Sequence, residues 1–167
     1  MAPRERRASG AHNGRRTCIS RDILDAVSRL RLEVTDVDDG TVETEVRRKL
    51  YDFNVKATGI DDGAMLIVSL RDESGRLVAG LYGWTWGGSA FVDLLWVDEA
   101  QRGSGLGGRV LASAEAEARS RGCTQVLLST HGFQAPDFYR SRGYRETGRF
   151  ADYPAGNYQI HLAKSLD

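Results

Sequence analysis

The segment that most clearly indicates a binding or catalytic function is a glycine-rich loop between a strand-like run and a helical pattern. Leu95-Trp96-Val97 ends the run, and the loop reads Arg102-Gly103-Ser104-Gly105-Leu106-Gly107-Gly108. Glycines adopt positive φ and let the backbone approach a ligand closely. A helix start also leaves backbone N–H groups unpaired, with a partial positive charge. The segment predicts a pyrophosphate cradle, although a tight strand-to-helix turn would also use glycines.

Two other phosphate-binding loops differ from this one. A nucleoside-triphosphate P-loop ends in Gly-Lys followed by Ser or Thr, and this loop lacks that ending. A dinucleotide-binding loop follows an early strand of a parallel sheet. Here the loop follows three strand-like runs joined by short turns, Met65 to Leu70, Leu77 to Trp86 and Ala90 to Val97. Such runs indicate an antiparallel meander, so both alternatives are disfavoured.

The elements after the loop predict how it is held. Leu106, Val110, Leu111, Ala114 and Ala118 recur at helical spacing, and Gly122 ends that helix. The next strand, 125–128, makes a parallel crossover with the strand before the loop. A short helix near 136–142 and closing strands at 144–149 and 157–162 complete an α/β (α+β) fold with a mixed sheet.

The N-terminal third is predicted less regularly. Residues 1–18 are rich in arginine and lack an apolar pattern, which predicts a disordered basic tail before a single domain over 19–167. Ser20 caps a predicted short helix, and Leu30 to Val34 alternates like a first strand. A helix capped by Asp39 or Thr41 follows and ends in the polar stretch 54–63. Its predicted inner face consists of Val42, Val46, Leu50 and Phe53.

The composition excludes several classes of protein. The 167 residues carry 23 basic and 23 acidic side chains, so net charge gives no drive toward nucleic acid or membrane. We expect no transmembrane helix, because no run of 18 apolar residues occurs, and no secretory signal. Cys18 and Cys123 make no disulfide framework, and no metal-ligand spacing occurs. A cytoplasmic protein without a metal is expected, with Cys123 as a small core residue.

Two motifs in order resemble the GNAT superfamily of N-acetyltransferases. Arg102-x-x-Gly105-x-Gly107 is similar to its Arg/Gln-x-x-Gly-x-Gly/Ala signature, and 138–144 resembles its Phe-Tyr-x-x-x-Gly-Phe/Tyr segment. One helix and one strand separate the motifs, as in the family. The stretch 133–139, Phe-Gln-Ala-Pro-Asp-Phe-Tyr, also resembles one bacterial branch. The resemblance spans about 31–166.

The resemblance implies roles for named residues. The cosubstrate would be acetyl-CoA, with the backbone of residues 103–108 around its pyrophosphate and the strand before the loop bulged away from the next parallel strand. Leu95, Trp96 and Val97 would pair with the pantetheine arm through their backbone. Tyr139 would protonate the departing thiolate. The cofactor-binding set is Leu95, Trp96, Val97, Arg102, Gly103, Ser104, Gly105, Leu106, Gly107 and Gly108.

The general base is less defined. Asp93 interrupts an apolar strand, and many relatives carry an acidic residue there that deprotonates the amine through water. A structural role for Asp93 fits the sequence equally well. His131 is a weaker candidate, and His161 is expected to be packed. Relatives often place Asn seven residues before the tyrosine, where this chain has Gly132, and Gln134 is the nearest substitute.

The predicted reaction is transfer of acetyl to a primary amine of a small molecule by direct attack. An amine of a protein or aminoacyl-tRNA, and a non-catalytic CoA-binding regulatory module, are the alternatives. Nucleic acid and membrane are not expected as partners, and a homodimer is left open. Tyr82, Trp84 and Trp86 share one strand face, where core packing under a helix is favoured over a role in the acceptor pocket.

Overall fold

The computed structural model describes residues 30–167. Contacts divide the chain into two compact units after Thr44, and each unit is described by itself. The predicted tail over 1–18, the predicted helix at Ser20 and Cys18 lie outside the described residues. The boundary predicted for a single domain therefore stays a prediction.

Six strands form one mixed sheet in the order β1-β2-β3-β4-β6-β5. Only the pair of β3 and β4 is parallel, and the other neighbours are antiparallel. This arrangement confirms the predicted meander, parallel unit and closing strands. The strands are β1 Ala64–Arg71, β2 Leu77–Trp86, β3 Ser89–Val97, β4 Gln125–His131, β5 Arg145–Ala151 and β6 Tyr158–Ser165.

Three α-helices and one short 3₁₀ turn accompany the sheet in the described residues. They are α1 Thr41–Thr58, the 3₁₀ turn Glu99–Gln101, α2 Leu106–Ser120 and α3 Pro136–Arg140. The apolar side of α2 is buried against β1, β2 and β3. Gly122, with φ of 79°, lets the chain turn after α2, and the Cys123 N–H donates to the Ala118 carbonyl.

The core lies between α2 and one face of the sheet. Its largest fully buried side chains are Leu66, Leu111, Ile160 and Leu162. Cys123 is buried with a free thiol, which confirms its predicted place as a small core residue. No helix within residues 30–167 is long and apolar enough to cross a bilayer.

The predicted inner face of α1 is wrong. Val42, Val46, Leu50 and Phe53 are between 57% and 68% exposed, and no residue of α1 is buried. Helical spacing identifies an apolar stripe, but it carries no information about which surface covers that stripe. The helix also runs four residues beyond Asn54, where it was expected to end, and stops before Gly59 at φ of 74°.

One further local prediction is wrong. Leu30 to Val34 forms no strand, because a strand pattern becomes a strand only when its backbone groups find a partner. The aromatic side chains of β2 differ in exposure. Tyr82 is exposed, Trp84 is half-buried against Phe91 with ring centroids 5.4 Å apart, and Trp86 donates its indole N–H to the Ile60 carbonyl.

Candidate active site

The site begins where β3 and β4 stop pairing. The parallel ladder joins Ser89–Val92 to Gln125–Leu128 and ends there. Beyond it, residues 93–97 continue in β3 and 129–131 continue in β4 without a bond between them. The two strands therefore open a cleft at their carboxyl ends, and the backbone of β3 on the cleft side is available to a ligand.

A β-bulge starts this divergence. Tyr82 pairs with Leu94 and Gly83 pairs with Val92, so Asp93 has no partner in β2. A Cβ on Gly83 would collide with the Phe91 carbonyl oxygen, so this glycine permits the close approach of the bulged strand. Although Asp93 interrupts an apolar strand, the residue is exposed at the bulge.

The glycine loop forms the first turn of α2. Gly103 and Gly105 have φ of 78° and 86°, and the space beside each is open. Gly105 is the N-cap and offers no side chain to the helix start. The first N–H groups of α2 have no side-chain cap, and Leu106, Gly107 and Gly108 lie beside the cleft, which suits an anion. Arg102 ties the loop to the strand through a bond from Nε to the Val97 carbonyl (3.4 Å).

Arg142 adds a positive charge beside this helix start, which the sequence reasoning missed. Its guanidinium lies 3.9 Å from the centre of the Phe138 ring and donates to the Phe138 carbonyl at 2.9 Å. A Cβ on Gly108 would lie 2.8 Å from one guanidinium nitrogen, so the glycine lets the arginine cross the helix here without shifting its side chain. The sequence did contain a signal for Arg142, because an arginine in the second motif is a cation that could reach the predicted phosphate loop.

Tyr139 lies on α3 and is only 8% exposed. Burial raises the pKa of its phenol, so the hydroxyl keeps its proton at neutral pH. Its ring makes edge contacts with Phe138 and Tyr144, at centroid distances of 5.0 and 5.7 Å. Its position is therefore fixed by ring packing on two sides.

A buried polar network supports Tyr144, and the sequence reasoning missed it too. Glu115 of α2 accepts a hydrogen bond from the Tyr144 hydroxyl at 3.0 Å and one from Lys164 at 2.6 Å. Burial, with the Glu115 carboxylate next to it, raises the pKa of the Tyr144 phenol well above its usual range. The network stabilises the ring against which Tyr139 packs. A glutamate on the inner side of an apolar helix was its sequence signal.

One cavity of ≈ 870 Å³ collects most of the predicted residues. Asp93, Tyr139 and Arg142 line it together with the end of β3 and the glycine loop. The predicted residues that line it are Asp93, Leu95, Trp96, Val97, Arg102, Gly103, Gly105, Leu106, Gly107, Gly108 and Tyr139. Ser104 does not line the cavity, because its hydroxyl donates to the Gln101 carbonyl.

The remaining candidates lie around β4 and β6. His131 is at the end of β4 and outside the cavity lining, with Nδ1 3.2 Å from the Tyr153 carbonyl oxygen. Gln134 lines the cavity, but its amide oxygen accepts bonds from Thr130 and the His131 N–H. His161 is half-buried, and its Nε2 makes no hydrogen bond to a described residue.

Proteins of similar sequence are acetyltransferases. The family model of the GNAT acetyltransferases matches residues 28–144. An acetyltransferase of Agrobacterium fabrum is 33% identical over 131 residues, covering 78% of this chain and 96% of the relative. The blasticidin-S acetyltransferase of Streptomyces morookaense is 47% identical over 98 residues, covering 56% of this chain and 70% of the relative.

A solved structure agrees with these relatives. The crystal structure of an acetyltransferase from Bacillus cereus has a TM-score of 0.67 and 31% identity, covering 78% of this chain and 97% of that one. The chain belongs to the GNAT family and is an acyl-CoA-dependent N-acetyltransferase.

Proposed function

We propose that the protein transfers acetyl from acetyl-CoA to a primary amine of a small molecule by direct attack. The observation that carries this proposal is the shared cavity, which is lined by the glycine loop, the end of β3, the Asp93 carboxylate and the buried Tyr139 phenol. Each of these groups matches one requirement of the reaction. The relative that acts on blasticidin S supports a small-molecule acceptor.

The groups around the glycine loop suit the cosubstrate. The N–H groups of residues 103–108 and the Arg142 guanidinium would hold the pyrophosphate, since both favour a negative charge. The backbone of Leu95, Trp96 and Val97 has no partner in β4 and would bind the pantetheine arm on that side as an added strand. This mode positions the thioester by main-chain bonds and depends little on side chains.

The reaction then needs one base and one acid. Asp93 would take a proton from the ammonium group through water, and the free amine attacks the thioester carbonyl. The new C–N bond forms as the C–S bond breaks, and Tyr139 donates its proton to the thiolate. Solvent takes the second proton from the new amide nitrogen and restores the proton of the phenol, and Asp93 releases its proton to solvent.

Compartment and oligomeric state belong to the same proposal. A free thiol such as Cys123 persists in a reducing compartment, which favours the cytoplasm. A homodimer is compatible with this chemistry, since Asp93, Tyr139 and the glycine loop all come from one copy of the chain. Size-exclusion chromatography with light scattering would test this point by comparing activity with oligomeric state.

A thiol-release assay tests the proposed reaction. Purified protein would be mixed with acetyl-CoA and a panel of small primary amines, and free thiol and acetylated product would both be measured. We expect release that depends on the amine, with one product acetyl group per thiol. Binding of acetyl-CoA without amine-dependent release would overturn the enzyme proposal in favour of a regulatory CoA-binding module.

A further inference from the structure

Three rings cluster at the carboxyl end of β4. His131 stacks on Phe133 with ring centroids 5.2 Å apart and planes 7° apart. Tyr153, from the turn between β5 and β6, contacts the same histidine with a centroid distance of 5.3 Å. A carbonyl oxygen only accepts, so the His131 Nδ1 donates to the Tyr153 carbonyl, and the ring orientation is set. The outermost ring of the stack is Phe133.

The loop that carries Phe133 is held firmly by hydrogen bonds. The Gln134 side-chain oxygen accepts from Thr130 Oγ1 at 3.1 Å and from the His131 N–H at 2.9 Å. The Gly132 N–H donates to the Tyr158 carbonyl at 2.8 Å, and a Cβ on Gly132 would overlap the Tyr158 ring. The phenyl group is therefore presented in one position before any ligand arrives, which lowers the entropic cost of binding.

Phe133 combines exposure with a place in the cavity. The residue is 61% exposed, although it is large and apolar. It lines the same cavity as Asp93 and Tyr139. His131 covers one face of its ring, which leaves the other face for a ligand. An exposed, pre-positioned aromatic ring beside reactive groups is the kind of surface on which flat groups stack.

We propose that Phe133 selects acceptor amines that carry a flat aromatic ring, which stacks on its free face. This inference rests on the proposed acetyl transfer and adds the substrate class. The ligand ring that stacks on Phe133 belongs to the acceptor and not to acetyl-CoA. The proposed pyrophosphate cradle follows β3, whereas Phe133 follows β4 on the other side of the cleft. In acetyl-CoA the adenine ring lies beyond the pyrophosphate, away from the thioester.

A pair of matched amines tests the proposal. 2-Phenylethylamine and 2-cyclohexylethylamine share the amine, the linker and the number of carbons, and they differ in flatness and π electrons. We expect kcat/KM to favour the phenyl compound by about two- to tenfold, the range for an aromatic pair. Phe133→Leu should bring the ratio close to one, while Phe133→Tyr should retain the preference.

Phe150 provides the matched control. It is 57% exposed, packs edge-on against His161 with a centroid distance of 5.0 Å, and does not line the cavity. Phe150→Leu should leave the ratio of the two amines unchanged. A wild-type ratio of one, or a ratio retained in Phe133→Leu, would overturn the proposal.

Two further readouts separate the possible failures. Acetyl-CoA affinity should be the same in wild type and Phe133→Leu, because a loss would assign the ring to the cosubstrate and overturn the inference. Acetylation of other amines in the panel but of neither test amine would also overturn it, while the proposed function stands. Absence of thiol release with every amine would instead remove the proposed function.

Discussion

The two halves of β3 differ in how they pair with the neighbouring strands. Residues 89–92 pair on both sides, and Ala90 and Val92 are buried in the core. Residues 94–97 pair only with β2, and residues 93–97 line the cavity. The half with partners on both sides (the paired half) stabilises the sheet. The half with no partner in β4 (the unpaired half) leaves backbone groups for a ligand on that side. Stability and binding are thus separated along a single strand, with the bulge at Asp93 between them.

The largest effect is expected at Tyr139, in the cavity next to the unpaired half. Tyr139→Phe removes one oxygen and preserves the ring packing with Phe138 and Tyr144. We expect kcat to fall ~10²-fold, the loss of a general acid, with acetyl-CoA affinity nearly unchanged. Steady-state kinetics and calorimetric binding would measure both. Full activity in this variant across several amines and pH values would exclude the phenol from proton transfer.

The paired half should respond in stability rather than in binding. Val126 of β4 is buried and lies opposite Ala90. Val126→Ala should lower the free energy of unfolding by about 2 kcal/mol, from lost burial and the cavity left behind. Urea denaturation checks this, with Val46→Ala on the exposed side of α1 as the control. A tenfold loss of acetyl-CoA affinity in the folded variant would contradict the separation.

The proposed cradle can be tested with two glycines of matched backbone conformation, one inside the glycine loop and one outside it. Gly105 and Gly75 have φ of 86° and 85°, and both have open space around them, but only Gly105 lies in the cavity. Gly105→Asp should weaken acetyl-CoA binding at least tenfold, or ~1.4 kcal/mol, because it adds a negative charge where phosphates would sit. Gly75→Asp carries the same backbone strain and should bind normally. Equal affinities in both variants would count against the cradle.

At the bulge itself, Asp93→Asn keeps the shape of the side chain and removes its charge. We expect kcat/KM to fall about tenfold, which is less than the loss of a positioned base usually costs, because the carboxylate is exposed and acts through water. The acidic limb of the rate profile should change, while acetyl-CoA affinity and melting temperature should not. A lowered melting temperature with an unaltered pH profile would assign Asp93 a structural role.

The smallest effect concerns pH and the core around Tyr139. Burial raises the pKa of Tyr139 and Tyr144, so the folded state retains protons that the unfolded state releases near pH 10. The contribution of the two phenols to the free energy of unfolding is complete below pH ~10. It is lost as the pH rises further, by up to ~1.4 kcal/mol per pH unit for each phenol. Tyr144→Phe should therefore flatten the loss of stability above pH 10. Tyr153→Phe, which removes an exposed phenol, is the control, and equal slopes would contradict this account.

Local sequence patterns predicted some features well and others poorly. Strand boundaries in the meander and the α2 periodicity were correct because short turns and a 3.6-residue repeat are local signals. The apolar stripe of α1 was identified, but its exposure was not, because burial depends on distant surfaces. Asp93 was singled out for an apolar neighbourhood, while the bulge that exposes it depends on Gly83 in the neighbouring strand.

The sequence by itself determined the order of elements, the glycine loop at a helix start and the second motif with Tyr139. These are properties of neighbouring residues, and neighbours along the chain decide turns, caps and amphipathic faces. Only the tertiary structure decided that β3 leaves β4 after Val92, that Arg142 crosses the start of α2, and that Phe133 lines the cavity with Asp93. Each of these contacts joins residues far apart in the chain, so it depends on how the strands pair and pack.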